Sequence, residues 1–252
     1  MPDYDETTYG ERIADVYDTL SEVPTDTAES VAMLAELAGG GRVLELGIGT
    51  GRLALPLRQR GIEVEGIDAS PAMVDRLRSK LGGREIPVTV GSFADLEVDG
   101  TFSLIFVAFN SFFALRSQED QLRCFSAVAA HLRPSGAFLI EAFVPDLSRF
   151  DRGQRVQAMD VEVALVRIDV ARHDPVAQRV VAQHVVFTEA GTRLYPVQLR
   201  YCWPSELDLM ARLAGLRLEH RWSGWLREPF TAASGKHVSV YRASPEIGPK
   251  RH

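Results

Sequence analysis

Short apolar runs alternate with helical stretches along the first 145 residues. Residues 11–38 read as helix broken near Pro24, with Ala28, Val31, Ala32, Leu34, Ala35 and Leu37 along one side at helical spacing. Gly39, Gly40 and Gly41 stop it. The period then changes at once. Residues 42–46 form an apolar strand, a glycine-rich turn follows, and Leu53, Ala54 and Leu57 restart a helix. A second strand at 64–67 ends at Asp68, where Ser70 and Pro71 supply an N-cap and a first-turn proline for a helix reaching about Leu81. Strands follow at 88–91 and 102–108, the latter apolar throughout, as befits a central parallel strand buried on both faces. A helix over 117–132, closed by Pro134-Ser135-Gly136, leads to a fifth strand at 137–143.

After Pro145 the grammar shifts. Residues 156–201 hold two or three β-rich runs, at 161–170, 179–188 and 193–201, parted by turn signals at His173-Asp174-Pro175 and Glu189-Ala190-Gly191. A helix at 204–213, capped by Gly215, and strands at 216–222 and 237–241 then resume the first pattern. Strands separated by helices predict an α/β fold: a doubly wound, mostly parallel seven-stranded sheet, with an antiparallel β subdomain inserted after strand five. The expected division is a helical lid at 1–38, the main domain at 39–145 and 202–243, the insertion at 146–201 and a flexible tail at 244–252.

Composition narrows the function classes. The 252 residues carry 28 basic and 34 acidic side chains, a formal charge of −6, with no long basic run. That argues against a phosphate-dominated nucleic-acid binder. The longest apolar stretch, residues 104–109, is far short of a membrane span of ~18 residues. The acidic start lacks the pattern of a signal peptide. Cys124 and Cys202, distant and in apolar surroundings, suit neither a disulfide framework nor a zinc site and read as reduced thiols of a cytoplasmic protein.

The chemistry gathers at the first strand–helix turn, Glu45-Leu46-Gly47-Ile48-Gly49-Thr50-Gly51. Glycines there bring backbone close to a ligand, and Asp68, ending the next strand, is placed to accept ribose hydroxyls. A dinucleotide fingerprint would put its third glycine at position 52, which is Arg. The carboxylate of Glu45 repels a pyrophosphate and attracts an ammonium, which favours a cationic, amino-acid-bearing nucleoside over a nicotinamide dinucleotide.

Residues 43–51, Gly66-Ile67-Asp68-Ala69-Ser70 and Gly91-Ser92-Phe93-Ala94-Asp95 resemble the first three motifs of class I S-adenosylmethionine-dependent methyltransferases. The resemblance covers residues 40–145 and implies a Rossmann-like sheet with S-adenosyl-L-methionine as cofactor. It places Glu45, Gly47 and Gly49, with Thr50 in the same loop, at the methionine portion and Asp68 at the ribose. Ala69 and Met73 fall beside the adenine, Ser92 and Phe93 border the base, and Ala108 and Phe109 lie under the methionine portion. Two departures stand out: position 92 is Ser where many relatives have Asp, and Asn110-Ser111-Phe112-Phe113 replaces the usual acidic or aromatic motif after strand four. No metal-binding carboxylate cluster accompanies it. The insertion and the N-terminal Tyr4, Tyr9 and Tyr17 give a layout similar to small-molecule N-methyltransferases acting on glycine or amino sugars.

The sulfonium carries its own activation, so no elaborate catalytic constellation is required, and no catalytic residue is assigned. Three side chains are candidates for the acceptor pocket. Asn110 follows strand four. Glu141 sits among apolar residues and needs an Arg or a substrate amine as partner. His184 shares a strand face with Val180, Ala182 and Val186, as a base, a substrate contact or an ordinary sheet histidine. Tyr17 is expected over the cofactor or in helix packing. The aromatic groups at 201–203 and 222–225 read as packing or as a cage for a methylated ammonium. The expected activity is methyl transfer to nitrogen or oxygen of a small metabolite, such as an amino sugar or small amine, by a monomer or homodimer with no nucleic-acid or membrane partner. The alternatives are a nicotinamide-dependent oxidoreductase and a non-catalytic nucleoside-binding module.

Overall fold

The structure, a computed structural model, describes residues 1, 3–20 and 26–244. Its first layer is a seven-stranded sheet made by β1 (Val43–Leu46), β2 (Val64–Asp68), β3 (Val88–Val90), β4 (Phe102–Val107), β5 (Leu132–Phe143), β10 (Leu216–Trp222) and β11 (Lys236–Ala243), in the order β10-β11-β5-β4-β1-β2-β3. β1 to β5 pair in parallel, and β11 enters antiparallel between β5 and β10. Side chains alternate across the strands, and apart from Glu45 of β1 and Glu141 of β5 the buried positions in the centre are apolar. Leu44, Ile105, Val107, Phe138 and Ile140 therefore join one core, and Val43, Leu104, Phe106 and Leu139 join the other. The first core is covered by α6 (Gln118–His131) and α7 (Pro204–Leu213), the second by α3 (Thr27–Ala38) and α4 (Ala54–Gln59). Phe125 is fully buried and meets Phe112, Phe138 and Tyr241 edge-on, at centroid separations of 5.5, 5.3 and 5.7 Å. Both thiols are free and lie in the first core. Cys202 accepts from Arg200 and donates to Gln121.

The second sheet is the antiparallel meander β6 (Gln154–Val161), β7 (Leu165–Asp174), β8 (Arg179–Thr188) and β9 (Gly191–Arg200). The insertion thus holds four strands where the apolar pattern shows two or three. The run at 161–170 is not one strand, because the chain reverses at residues 162–164 with no Gly, Pro or Asn to mark it. β6 is an edge strand, mostly exposed, and its apolar alternation changes phase between Ala158 and Asp160, where the register against β7 slips, which hides it from a hydrophobic pattern.

Two other boundaries differ from expectation. β5 begins at Leu132 and runs through Pro134. Its register against β4 jumps between Phe102↔Leu132 and Leu104↔Ala137, so Pro134 falls where the ladder is interrupted and its missing N–H costs nothing. The N-terminal helix is three pieces: α1 (Thr8–Ile13), α2 (Tyr17–Leu20) and α3. The expected break at Pro24 and the tail beyond Ser244 lie outside the described residues. Glu11 of α1 accepts from Ser70 Oγ (2.9 Å) and Ala72 N–H (3.0 Å) at the start of α5 (Pro71–Ser79), a carboxylate set on a helix N-terminus. Among the described residues no helix is long and apolar enough to cross a membrane.

Candidate active site

The loop after β1 is fastened to the end of β2. Gly47 and Ile48 donate to Ile67 O at 2.8 and 3.0 Å, and Gly49 N–H donates to Asp68 Oδ2 at 2.7 Å. Gly66 lets Ile48 lie flat on the strand, since a Cβ there would stand 2.3 Å from Ile48 Cδ1. Gly49 has φ +54° and open space where a side chain would project, so the loop presents bare backbone to the volume above it. Asp68 Oδ1 accepts from Ser70 N–H (2.9 Å), and burial raises its carboxyl while the Ser70 and Gly49 N–H groups pull it back.

Above the loop lies a cavity of about 310 Å³ between the N-terminal helices, the main sheet and the inner face of β8 and β9. Of the site candidates named from the sequence, Tyr17, Gly47, Gly49, Asp68, Ala69, Met73, Phe93, Phe109, Asn110 and His184 line it. A recess of about 40 Å³ beside it adds Glu45, Thr50 and Ala108. Glu45 is 5% exposed, and its Oε2 is buried with no hydrogen-bond partner among the described residues. Burial pushes its carboxyl up to about 8; the Arg52 guanidinium opposes the rise, and the Asp68 carboxylate adds to it. Thr50 Oγ1 is engaged, donating to Asp18 Oδ1 at 2.7 Å.

Two expected residues are elsewhere. Ser92 lines neither space and accepts from Ala94 N–H at 3.4 Å. Glu141 is not a pocket residue either, and its partner is not an Arg. Its Oε1 takes Trp225 Nε1 (3.0 Å) and Lys236 Nζ (3.3 Å), and its Oε2 takes Phe109 N–H (2.9 Å). That last bond has a purpose. Phe109 and Asn110 both sit at positive φ, 52° and 66°, a costly pair for residues with side chains. The Asn110 N–H reaches Glu141 O (3.2 Å), and Asn110 Oδ1 accepts from Phe143 N–H (2.7 Å). Glu141 and β5 thereby hold the turn that turns Phe109 and Asn110 into the cavity. The Trp222 and Trp225 cluster is packing, with Trp225 buried against Glu141 and outside the cavity.

Sequence reading passes over Glu6, Ser111, Phe143, Gln198 and Leu199, which complete the cavity wall with Tyr4 and Tyr9. Most come from segments whose fold is invisible in local patterns: the N-terminal turn, the start of a 3-10 helix at Ser111–Ala114, and β9. Among the described residues no Lys or Arg lines the cavity.

A methyltransferase domain model matches residues 43–136. The chain is 30% identical over 242 residues to the cypemycin N-terminal methyltransferase of a Streptomyces species, covering 94% of this chain and 98% of that protein. The CcbJ methyltransferase of Streptomyces caelestis superposes with a TM-score of 0.91 at 41% identity, over 96% of this chain and 100% of that one. The sugar N-methyltransferase KedS8 from Streptoalloteichus shares the fold, with a TM-score of 0.65 at 18% identity over 90% of this chain and 92% of that one. With the glycine loop pinned to an acidic strand end, these likenesses show that the chain belongs to the class I S-adenosylmethionine-dependent methyltransferases.

Proposed function

We propose that this methyltransferase acts on the nitrogen of a small amine. The cavity wall carries the reading: beyond the residues that would hold the cofactor, it offers the Glu6 carboxylate and the rings of Tyr4, Tyr9 and Phe143, with no Lys or Arg among the described residues. A protonated amine is drawn to carboxylates and to aromatic faces, where a phosphate or carboxylate acceptor is repelled. Two of the relatives bear names that fit an amine acceptor, an N-terminal methyltransferase and a sugar N-methyltransferase, while others are named as O-methyltransferases.

The residues fit the cofactor. Glu45, buried with an unpartnered oxygen beside the loop, suits the methionine ammonium. Gly47 and Gly49 leave room for the chain of that amino acid, and Thr50 and Tyr17 border it with Ala108 and Phe109. Asp68 keeps acceptor capacity on both oxygens for ribose hydroxyls, and Ala69, Met73 and Phe93 offer the apolar wall an adenine needs. When bound, S-adenosylmethionine supplies an electrophilic methyl group on sulfur. The protein's part is to orient the amine, strip it of water and keep its lone pair free.

The test is transfer of radiolabelled methyl from S-adenosylmethionine to three probes: 3-amino-3-deoxyglucose, trialanine and a simple phenol. Methylation of either amine, with the product located on nitrogen by mass spectrometry, supports the reading. Methylation of the phenol alone refutes it.

A further inference from the structure

The inner face of the second sheet follows strand alternation: Ala182, His184 and Val186 of β8 look toward the cavity, flanked by Asp169 of β7 and Tyr195 of β9 in register with His184. His184 Nδ1 lies 2.5 Å from Asp169 Oδ1, and Arg155 Nη2 reaches Asp169 Oδ2 at 3.3 Å. Asp169 is 5% exposed. Burial works to raise its carboxyl, yet the hydrogen bond from His184 and the charges of His184, Arg155 and Arg167 outweigh it and hold it below the usual range. A buried carboxylate that stays ionised fixes the imidazole with Nδ1 as the donor. The opposite ring nitrogen, Nε2, makes no hydrogen bond among the described residues, and the ring lines the cavity. The titratable and charged groups around it are Asp169, Arg155 and Arg167 on β6 and β7, Tyr195 on β9, and Glu6 and Tyr9 from the N-terminal segment. Sheet pairing alone does not call for this arrangement, because the β7–β8 ladder is complete without it.

We propose that the Asp169–His184 pair receives the proton of the acceptor's ammonium, an inference that rests on the amine reading above. An N–H bond of the ammonium breaks and a bond from hydrogen to His184 Nε2 forms. The electron pair of the broken bond stays on nitrogen and becomes the nucleophilic lone pair. Asp169, as the positioning residue, holds the tautomer and balances the imidazolium until the proton passes to water. No oxidant or further reactant is needed.

The experiment compares wild type, His184→Gln and Asp169→Asn. Initial rates with trialanine and 3-amino-3-deoxyglucose are read at pH 7.0 and 9.5, and affinity for S-adenosylhomocysteine is read by calorimetry. His184→Gln is expected to lower kcat at pH 7.0 about 100-fold with unchanged affinity for S-adenosylhomocysteine. At pH 9.5, above an α-amino pKa of about 8, the amine arrives neutral and the deficit is expected to close to within about threefold. A deficit of the same size at both pH values, or none at pH 7.0, overturns the inference. If wild type methylates neither amine, the acceptor reading falls, and nitrogen-15 spectra of the histidine rings then decide the pair by itself. The expected result is Nδ1–H at His184 in wild type and loss of that preference in Asp169→Asn. A proton on Nε2 in wild type, or the same tautomer in both proteins, overturns it.

Discussion

Glu45→Gln isolates the charge at the bottom of the recess. With its carboxyl raised to about 8, Glu45 is about nine-tenths protonated at pH 7 in the free protein. An ammonium beside it requires the ionised form, so ligand binding expels a proton. Affinity for S-adenosylhomocysteine then scales with the ionised fraction, rising about eightfold from pH 6 to 7. It peaks near pH 8, where the ligand's own α-amino group, with a pKa of about 7.7–8.0, begins to lose its proton. The same shift governs stability. The folded-state value lies above the ordinary 4.5, so the folded protein holds an extra proton between those two values. Stability therefore falls as pH rises through that window, by about 1.4 kcal/mol per unit, and is level above it. Glu45→Gln removes both effects: the free protein gains about 3–5 kcal/mol at pH 9, and the rise in affinity from pH 6 to 7 disappears. Calorimetry in buffers of different ionisation enthalpy measures the released proton directly, and urea unfolding at pH 5, 7 and 9 measures the stability. Wild-type affinity that is flat from pH 6 to 7, or a Gln variant that keeps the rise, refutes the pairing of Glu45 with the ammonium.

Asp68→Ala strips the loop of the bond to Gly49 N–H as well as the ribose acceptor. Two charge-assisted bonds at about 1.5–3 kcal/mol each make the loss of S-adenosylhomocysteine affinity at least about 100-fold, measured by calorimetry. Glu141→Ala leaves Phe109 N–H and Trp225 Nε1 without their acceptor, while Lys236 keeps Asp26 at 2.7 Å. The cost is about 2–4 kcal/mol, or a fall in Tm of roughly 5–12 °C for a chain of this size, with Glu141→Gln recovering part of it. Phe125→Ala opens a cavity among Phe112, Phe138 and Tyr241. It is expected to cost about 3–5 kcal/mol in urea unfolding while leaving ligand affinity unchanged, because the ring lines neither the cavity nor the recess.

Whatever depended on local chemistry was legible in advance. The strand-loop-helix around Gly47 and Gly49, the N-cap and proline at Ser70 and Pro71, and the acid at the end of β2 each declare themselves within a few residues. The side chain of Ser70 does accept from Met73 N–H. Whatever depended on pairing across the chain was not. The partner of Glu141 proved to be Lys236, 95 residues away, and nothing local distinguishes that Lys from an Arg. Asp169 becomes meaningful only when β7 and β8 are in register, since its sequence neighbours show an acid in an ordinary alternating strand. The turn at 162–164 carries none of the residues that usually announce one, and β6 was lost for the same want of signal. The cavity is largely a product of such long-range placement, as Tyr4, Glu6, Gln198 and Leu199 show.

The two core thiols have a consequence for the enzyme's own durability. A sulfonium methyl donor is an alkylating agent, and the side chain most readily alkylated is a thiolate. Burial pushes Cys202 up to about 12 and Cys124 higher still, so at pH 7 about one Cys202 in 10⁵ is ionised, and both are sealed in the core. The protein thus carries the reagent with its own sulfur nucleophiles silenced, and self-methylation and oxidation at these two positions await local unfolding of the first core.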